Sequence, residues 1–143
     1  FIEKSVEIGV DEITPIICGH TEKQGVKTVR IRNLIISAMK QSLKAQETVL
    51  NETITFSEFL NQNHRGALMI AHCCIDHKRK GIADICTKGD DAVIMIGPEG
   101  DFTNEEIEKA MSKNFTQIHL GSSRLRTETA GVAACHSVYF INQ

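Results

Sequence analysis

Two glycine-containing loops hold the residues of this sequence that are best suited to bind a ligand and act on it. The first spans residues 97–100 and the second residues 121–126, and each directly follows an apolar run. In parallel α/β proteins, ligands bind at the carboxyl ends of strands, where such loops gather, and glycine lets a backbone approach a ligand closely. Arg126, Thr127 and Glu128 come where the second loop enters a helix, so we expect them to face the same site.

Each loop also has a plain structural interpretation. Residues 97–100 alone could be a turn set by Pro98, and Thr127, Glu128 and Thr129 could simply start a helix. An arginine at a helix start, as at position 126, is electrostatically unfavourable unless an anion lies nearby. Neither a P-loop nor a GxGxxG motif is present, which disfavours the usual modes of nucleotide binding. The pairing of the two loops makes a ligand site the better prediction.

The surrounding sequence predicts strands alternating with helices. Strands are expected at residues 13–18, 48–50, 66–72, 92–96 and 117–120, and helices at 1–8, 28–45, 57–60, 103–112 and 129–142. Gly9 should end the first helix, the second should be the longest, and Thr103 with Glu106 forms a capping box. Residues 73–91 are expected to form a polar loop. The alternation indicates one α/β domain with a mostly parallel, buried sheet.

Composition limits the class of protein. The 143 residues suffice for one domain, and 41% hydrophobic with 24% charged residues is typical of a soluble globular chain. No apolar run approaches the roughly 20 residues of a membrane-spanning helix. The net charge of −2 excludes nucleic-acid binding by bulk charge alone. Five unevenly spaced cysteines favour a reducing compartment over a disulfide framework.

The histidines and cysteines do not predict a metal site. His72, Cys73, Cys74 and His77 match none of the standard zinc spacings, so we expect no metal there. His119 and His136 stand among apolar residues and are expected to be structural.

Several segments resemble the ribosomal RNA small-subunit methyltransferase E family of the SPOUT superfamily, and they occur in order across nearly the whole chain. They are Glu3-Lys4-Ser5-Val6-Glu7-Ile8-Gly9-Val10, Ile13-Thr14-Pro15, Ser37-Ala38-Met39-Lys40-Gln41-Ser42, Ile96-Gly97-Pro98-Glu99-Gly100, Leu120-Gly121 and Leu125-Arg126-Thr127-Glu128-Thr129-Ala130. The resemblance implies an α/β domain over residues 1–143, with helices flanking a mostly parallel sheet and a C-terminal trefoil knot. It also implies a homodimer. The small β-rich RNA-binding domain that precedes this domain in the family is not expected within the chain, which opens inside its first helix.

The resemblance further implies a cytoplasmic enzyme without membrane contact. It would transfer the methyl group of S-adenosylmethionine to N3 of a uridine in the 16S rRNA of the 30S subunit. Members of the family hold the adenine of the cofactor chiefly by backbone groups, in a pocket formed by the knot loops. The corresponding residues here are Ile96, Gly97, Pro98, Glu99, Gly100, Leu120, Gly121, Leu125 and Thr129.

Methylation at N3 asks for two catalytic contributions. Uracil N3 carries a proton at neutral pH, so a base must remove it, and the negative charge that develops needs a positive or hydrogen-bonding partner. Arg126 fits the second role, Glu128 is a candidate base, and Thr127 could orient either or bind the substrate. The proton acceptor stays open between Glu128, a phosphate, water and a residue of the other subunit.

A basic stretch is the candidate RNA contact. Lys27, Arg30, Lys40 and Lys44 lie in a region whose only acidic residue is Glu22. Such a stretch is usually a solvated helix face, but its contrast with the acidic remainder makes it our prediction for contacting rRNA phosphates.

Two departures from the family pattern stand near the predicted site. His20 occupies a position where the family has an arginine, and Asp101 occupies one that is more often glycine.

Two alternative functions remain open. One is ribose 2′-O-methylation on the same scaffold, and the other is a non-catalytic dimer that binds cofactor and RNA.

Overall fold

Every strand pairing in the described part of the chain is parallel. The protein is represented by a computed structural model, which describes residues 1–22, 25, 27–43, 47–74 and 78–143. Along the chain, the elements are α1 (Ile2–Ile8), β1 (Glu12–Ile13), β2 (Ile16–Ile17), α2 (Thr28–Ser42), β3 (Val49–Leu50), β4 (Ile54–Thr55), α3 (Phe56–Leu60), β5 (Ala67–Ala71), a 3-10 helix (Ile82–Asp84), β6 (Ala92–Ile96), α4 (Asn104–Ser112), β7 (Thr116–Ile118) and α5 (Thr127–Ile141).

The N-terminal half forms two small sheets, because the strand predicted at residues 13–18 is split. β1 pairs with β3 and β2 pairs with β4. Pro15 lies between β1 and β2; it has no N–H to donate, but its carbonyl accepts a hydrogen bond from Ile54 N at 3.1 Å. The prediction of one continuous strand was wrong, and β4 was missed because two residues give no readable alternation.

The C-terminal half is built on a three-stranded sheet in the order β6–β5–β7. Successive residues of the central strand face opposite sides, as the period of a strand requires. Ile70 packs in a cluster with Ile107 of α4, whereas Met69 packs in a second cluster with Ala134 of α5. The helices therefore flank a parallel sheet, and the predicted α/β architecture is confirmed.

The helix termini follow local sequence signals. Gly9 ends α1 with a φ of 121° and donates its N–H to the Ser5 carbonyl. The Thr103–Glu106 capping box at the start of α4 is formed as predicted. α2 ends at Ser42 rather than at residue 45, and α5 matches its 15 residues, so α2 alone is not the longest helix.

The connection from β5 to β6 contains more structure than a polar loop. Lys80 pairs with Ile118 of β7, on the side of that strand opposite β5. The 3-10 helix follows, and Ile82 and Cys86 are buried beside α5. The prediction of a simple loop at residues 73–91 was therefore wrong. Across the described residues, no helix is long and apolar enough to cross a membrane.

Candidate functional site

The two glycine-containing loops meet at the carboxyl ends of β6 and β7. The hydroxyl Oγ1 of Thr127, the first residue of α5, donates a hydrogen bond to the Gly97 carbonyl over 3.0 Å. Gly97 is buried and Thr127 is half-buried. The fold thus brings together two segments that lie thirty residues apart in sequence.

The first loop is tightly folded and leaves little room for side chains at its glycines. Asp101 N donates to the Pro98 carbonyl over 2.9 Å, which closes a turn. A Cβ on Gly97 would lie 3.2 Å from Asp101 Oδ1, and one on Gly100 would lie 2.9 Å from His20 Cβ. Real Cβ atoms rarely approach other atoms so closely, so both positions favour glycine for reasons of space.

The second loop is more open. Gly121 has a φ of 114°, a conformation that glycine adopts readily, and a Cβ there would meet nothing within 4 Å among the described residues. Its N–H donates to Nδ1 of His119 over 3.3 Å. His119 is exposed, and its expected structural role stays a prediction.

The start of α5 differs from a simply capped helix. Arg126 occupies the N-cap position with extended backbone, and its side chain makes no capping bond. The Thr127 hydroxyl is engaged by the other loop rather than by its own helix. Among described residues, no salt bridge involves Arg126 or Glu128, and both side chains are exposed. The positive end of the helix dipole stabilises a carboxylate at position 128.

The end of β5 also reaches this region. His72 is buried; its Nδ1 accepts the Cys74 N–H over 3.2 Å, so its Nε2–H donates to Gln117 Oε1 over 2.9 Å. The next amide, Cys73 N, donates to Asp101 Oδ2 over 2.7 Å. Sequence shows Asp101 only as a departure from the family pattern, and its contacts cannot be read from sequence because its partners are distant.

Burial keeps the thiol of Cys18 in its protonated, unreactive form. Cys18 is buried, and burial, followed by the charge of Glu106, raises the pKa of its thiol to about 12. Burial also raises the pKa values of Cys86 and Cys135. Within the described ranges, no group of three or more His, Cys, Asp or Glu side chains is placed to hold a metal ion.

A family model described as an RNA methyltransferase domain matches residues 1–139. The chain belongs to the RNA methyltransferase domain family. A Rickettsia conorii protein named ribosomal RNA small subunit methyltransferase E is 31% identical over 140 residues, which cover 96% of this chain and 57% of that protein. A Mesomycoplasma hyopneumoniae protein of the same name is 30% identical, with 92% and 59% covered. These relatives confirm the resemblance, and the methyltransferase chain spans less than two thirds of their length.

Solved structures agree with this assignment. A probable rRNA-methyltransferase from Porphyromonas gingivalis is 40% identical with a TM-score of 0.93, covering 99% of this chain and 60% of that one. A ribosomal RNA small subunit methyltransferase E from Neisseria gonorrhoeae, solved bound to S-adenosyl methionine, is 30% identical with a TM-score of 0.86. That match covers 97% of this chain and 58% of the Neisseria chain.

The predicted site residues of this methyltransferase domain fall into one region at the two loops. Gly97 is buried; Ile96, Pro98, Leu120, Leu125 and Thr127 are half-buried; Glu99, Gly100, Gly121, Arg126, Glu128 and Thr129 are exposed.

The predicted RNA contacts lie elsewhere on the methyltransferase domain. Lys27, Arg30 and Lys40 are exposed at or along α2, and Lys44 lies outside the described residues. A shallow cavity of about 500 Å³ beside the start of α2 is lined in part by Lys27 and Arg30. None of its lining residues belongs to either loop.

Proposed function

We propose that residues 1–143 form the catalytic domain of an enzyme that transfers a methyl group from S-adenosylmethionine to N3 of a uridine in 16S rRNA of the 30S subunit. The observation that carries this proposal is the meeting of the two loops at the Thr127–Gly97 hydrogen bond, in a chain of the RNA methyltransferase family. The Neisseria relative, which has the same arrangement of elements, was solved with this cofactor.

The loops suit a cofactor held by backbone groups. Gly97 and Gly100 have little space for side chains, and Gly121 leaves the second loop open. We assign the cofactor to Ile96, Gly97, Pro98, Glu99, Gly100, Leu120, Gly121, Leu125 and Thr129. When bound, S-adenosylmethionine supplies an electrophilic methyl group on a positively charged sulfur.

The residues that begin α5 supply the remaining chemistry. Glu128 receives the N3 proton of the uracil, and the Arg126 guanidinium stabilises the negative charge that develops on the base. Both side chains are exposed at one helix terminus, where a nucleotide can reach them. Thr127 orients this terminus through its bond to the first loop.

The enzyme is further proposed to act as a homodimer. α5 exposes Tyr139 and Phe140, the latter by 70%, and His136 stacks on the Phe140 ring at a centroid distance of 6.3 Å. Large aromatic side chains that are exposed in a single chain are typical of surfaces that become the buried centre of an interface when a partner binds. A second copy of the chain would cover them.

We also propose that the C-terminal region forms a trefoil knot. β7 lies between β5 and Lys80, so the β5–β6 connection passes around its far side before returning to β6. α5 then packs against the 3-10 helix of that same connection. β7 comes later in the chain, yet it lies between β5 and Lys80 of the connection that follows β5, and this placement supports a threaded chain.

Ribosomal RNA would bind in part through Lys27, Arg30, Lys40 and Lys44. The described three are exposed, and no acidic residue occurs within α2. Charge reversal by Lys40→Glu should lower RNA affinity and flatten its salt dependence. Lys113→Glu, an exposed lysine after α4, is the matched control. Equal effects of the two substitutions would contradict the proposed contact between RNA and the basic side chains of α2.

All five cysteines are free, which supports a cytoplasmic location of the enzyme.

The decisive experiment is methylation in vitro. The full-length protein is incubated with S-adenosylmethionine and 30S subunits that lack the modification, and the 16S rRNA is mapped by mass spectrometry. We expect one N3-methyluridine, and a strongly reduced yield with Glu128→Gln. A methyl group on a ribose would instead support the 2′-O alternative. Cofactor binding without methyl transfer would support the non-catalytic dimer.

A further inference from the structure

Two chain segments that are distant in sequence converge on Asp101. Its carboxylate oxygen Oδ2 accepts the Cys73 N–H over 2.7 Å, from the residue two positions beyond β5. Its Oδ1 accepts the Phe102 N–H over 2.8 Å. Its carbonyl oxygen accepts a hydrogen bond from His20 Nδ1 over 3.0 Å, in the segment that follows β2. A carbonyl can only accept, so Nδ1 of His20 carries the proton in this contact.

The backbone at Asp101 is held in an unusual conformation. Its φ is 65°, in the left-handed region, which costs a non-glycine residue energy that its surroundings must offset. Aspartate tolerates this region better than most residues, and here both carboxylate oxygens are bonded to backbone amides. A glycine would adopt the turn with less strain but could make neither side-chain bond.

His20 packs against the first loop as well as bonding to Asp101. Its Cβ would lie 2.9 Å from a Cβ on Gly100, so the imidazole covers the first loop directly. The segment that carries His20 is anchored in turn, because Gly19 N donates to Glu106 Oε1 over 2.8 Å and Glu106 belongs to the capping box of α4. The first loop is therefore bounded by α4, by the His20 segment and by the end of β5.

We propose that Asp101 and His20 are positioning residues that hold the 97–100 loop in the shape that binds the cofactor; the pair is called the Asp101 clasp. The clasp acts through the loop backbone rather than by touching the ligand, because both Asp101 oxygens are directed at amides of the protein. The two departures from the family pattern are thus one unit: the histidine donates to the residue that replaces glycine. This inference rests on the proposed function for its cofactor readout.

The test combines cofactor binding with amide hydrogen exchange in the full-length protein. Asp101→Gly removes both side-chain bonds, and Asp101→Asn keeps one acceptor oxygen. His20→Ala removes the donor, whereas His20→Asn places an amide N–H near the position of Nδ1. Asp90→Asn is the control, because the Asp90 carboxylate also accepts a backbone amide, that of Thr87 over 2.7 Å, in a turn away from the loops.

We expect Asp101→Gly to raise the Kd for S-adenosylmethionine about tenfold and Asp101→Asn about threefold. We expect His20→Ala to raise it about fivefold, with His20→Asn restoring most of the loss. KM for the cofactor should rise while kcat is retained. The Kd for S-adenosylhomocysteine should rise by the same factors, because a positioning effect does not distinguish the charged ligand from the neutral one. Exchange of the Cys73 and Phe102 amides should accelerate in Asp101→Gly, and none of these quantities should change in Asp90→Asn.

Specific results would overturn the inference. A loss confined to S-adenosylmethionine means that the Asp101 charge acts on the ligand directly. Unchanged affinity in both Asp101→Gly and His20→Ala means that the loop needs no clasp, and unchanged amide exchange means that the bonds do not protect it. If the wild-type protein binds neither ligand, the proposed function fails, and amide exchange still decides whether the clasp holds the loop.

Discussion

Replacing Thr127 with valine isolates the contact that joins the two loops. Valine has nearly the same shape as threonine, so packing around the half-buried residue is kept while the hydrogen bond to the Gly97 carbonyl is lost. Thr127→Ser is the matched variant that keeps the hydroxyl and removes only a methyl group. Ser137→Ala removes another hydroxyl-to-carbonyl bond of α5, from Ser137 Oγ to the Ala133 carbonyl over 2.9 Å, away from the loops.

The size of the effect follows from the burial of the acceptor. A neutral hydrogen bond contributes about 1 kcal/mol to the free energy of unfolding, and a buried acceptor left without a donor costs about 1–3 kcal/mol. Gly97 is buried, so we expect Thr127→Val to lower the free energy of unfolding by about 1–2 kcal/mol and Tm by roughly 3–6 °C. If the loops separate in the free variant, cofactor binding must bring them together again. A cost of about 1 kcal/mol corresponds to roughly a fivefold rise in Kd.

Isothermal titration with S-adenosylmethionine and thermal unfolding, measured on the same preparations, check both numbers. Thr127→Val should lose cofactor affinity and stability, and Thr127→Ser should lose little of either. Ser137→Ala should lose stability alone. This pattern separates a bond that shapes the site from one that merely stabilises α5.

A Thr127→Val variant that binds the cofactor as tightly as the wild type while its Tm falls would refute a role for this bond in shaping the site. That result would mean that the loops reach their binding geometry without the bond. An equal loss of cofactor affinity in Ser137→Ala would also refute it, because the effect would then follow from general loosening of the helix.

Three further predictions test the fold. Gly66→Ala should destabilise the domain by about 3 kcal/mol or more in chemical denaturation, because φ is 82° and a Cβ would lie 2.1 Å from the Asp91 carbonyl oxygen. Met69→Ala should cost about 2–5 kcal/mol in the same assay, since this fully buried side chain fills the centre of the sheet. Burial raises the pKa of the Cys18 thiol from 9.0 to about 12, so the stability gained by keeping it protonated is complete below pH 9 and lost between pH 9 and 12. At about pH 8.5, iodoacetamide followed by mass spectrometry should therefore modify the exposed Cys73 and reach Cys18 only after unfolding; early modification of Cys18 would contradict its burial.

The long elements of the fold were predictable because their signals are local. The apolar run at 92–96 is β6 without a shift, and Gly9 and Thr103 mark helix termini by conformation and capping alone. The two-residue strands were not predictable in this way. β2 and β4 form because the fold brings residues 16–17 beside residues 54–55. Two residues are too few to show the alternation of apolar and polar side chains that marks a strand in a sequence.

The site was predictable as a region but not as a set of contacts. Glycine spacing placed both loops at strand ends, and the fold brings them together through Thr127. The sequence predicts that Thr127 orients Arg126 or Glu128, binds the substrate or caps α5, but it gives no sign of the bond to Gly97. The contacts of Asp101 with Cys73 and His20 likewise depend on segments distant in sequence. Sequence alone does not report which backbone atoms a carboxylate will meet.

The parallel pairings carry a consequence for synthesis of the chain. The central strand β5 cannot pair with β6 until residues such as Ala92 have been made, nor with β7 until Thr116. At about 5–20 residues per second, Met69 waits roughly 2–9 s on a nascent chain before its pairing partner Thr116 has been made. Pairing between residues so far apart is also slow in itself. The interval in which this domain is most exposed to aggregation and most dependent on chaperones therefore lies between synthesis of β5 and synthesis of β7, and slower translation of that stretch would lengthen it.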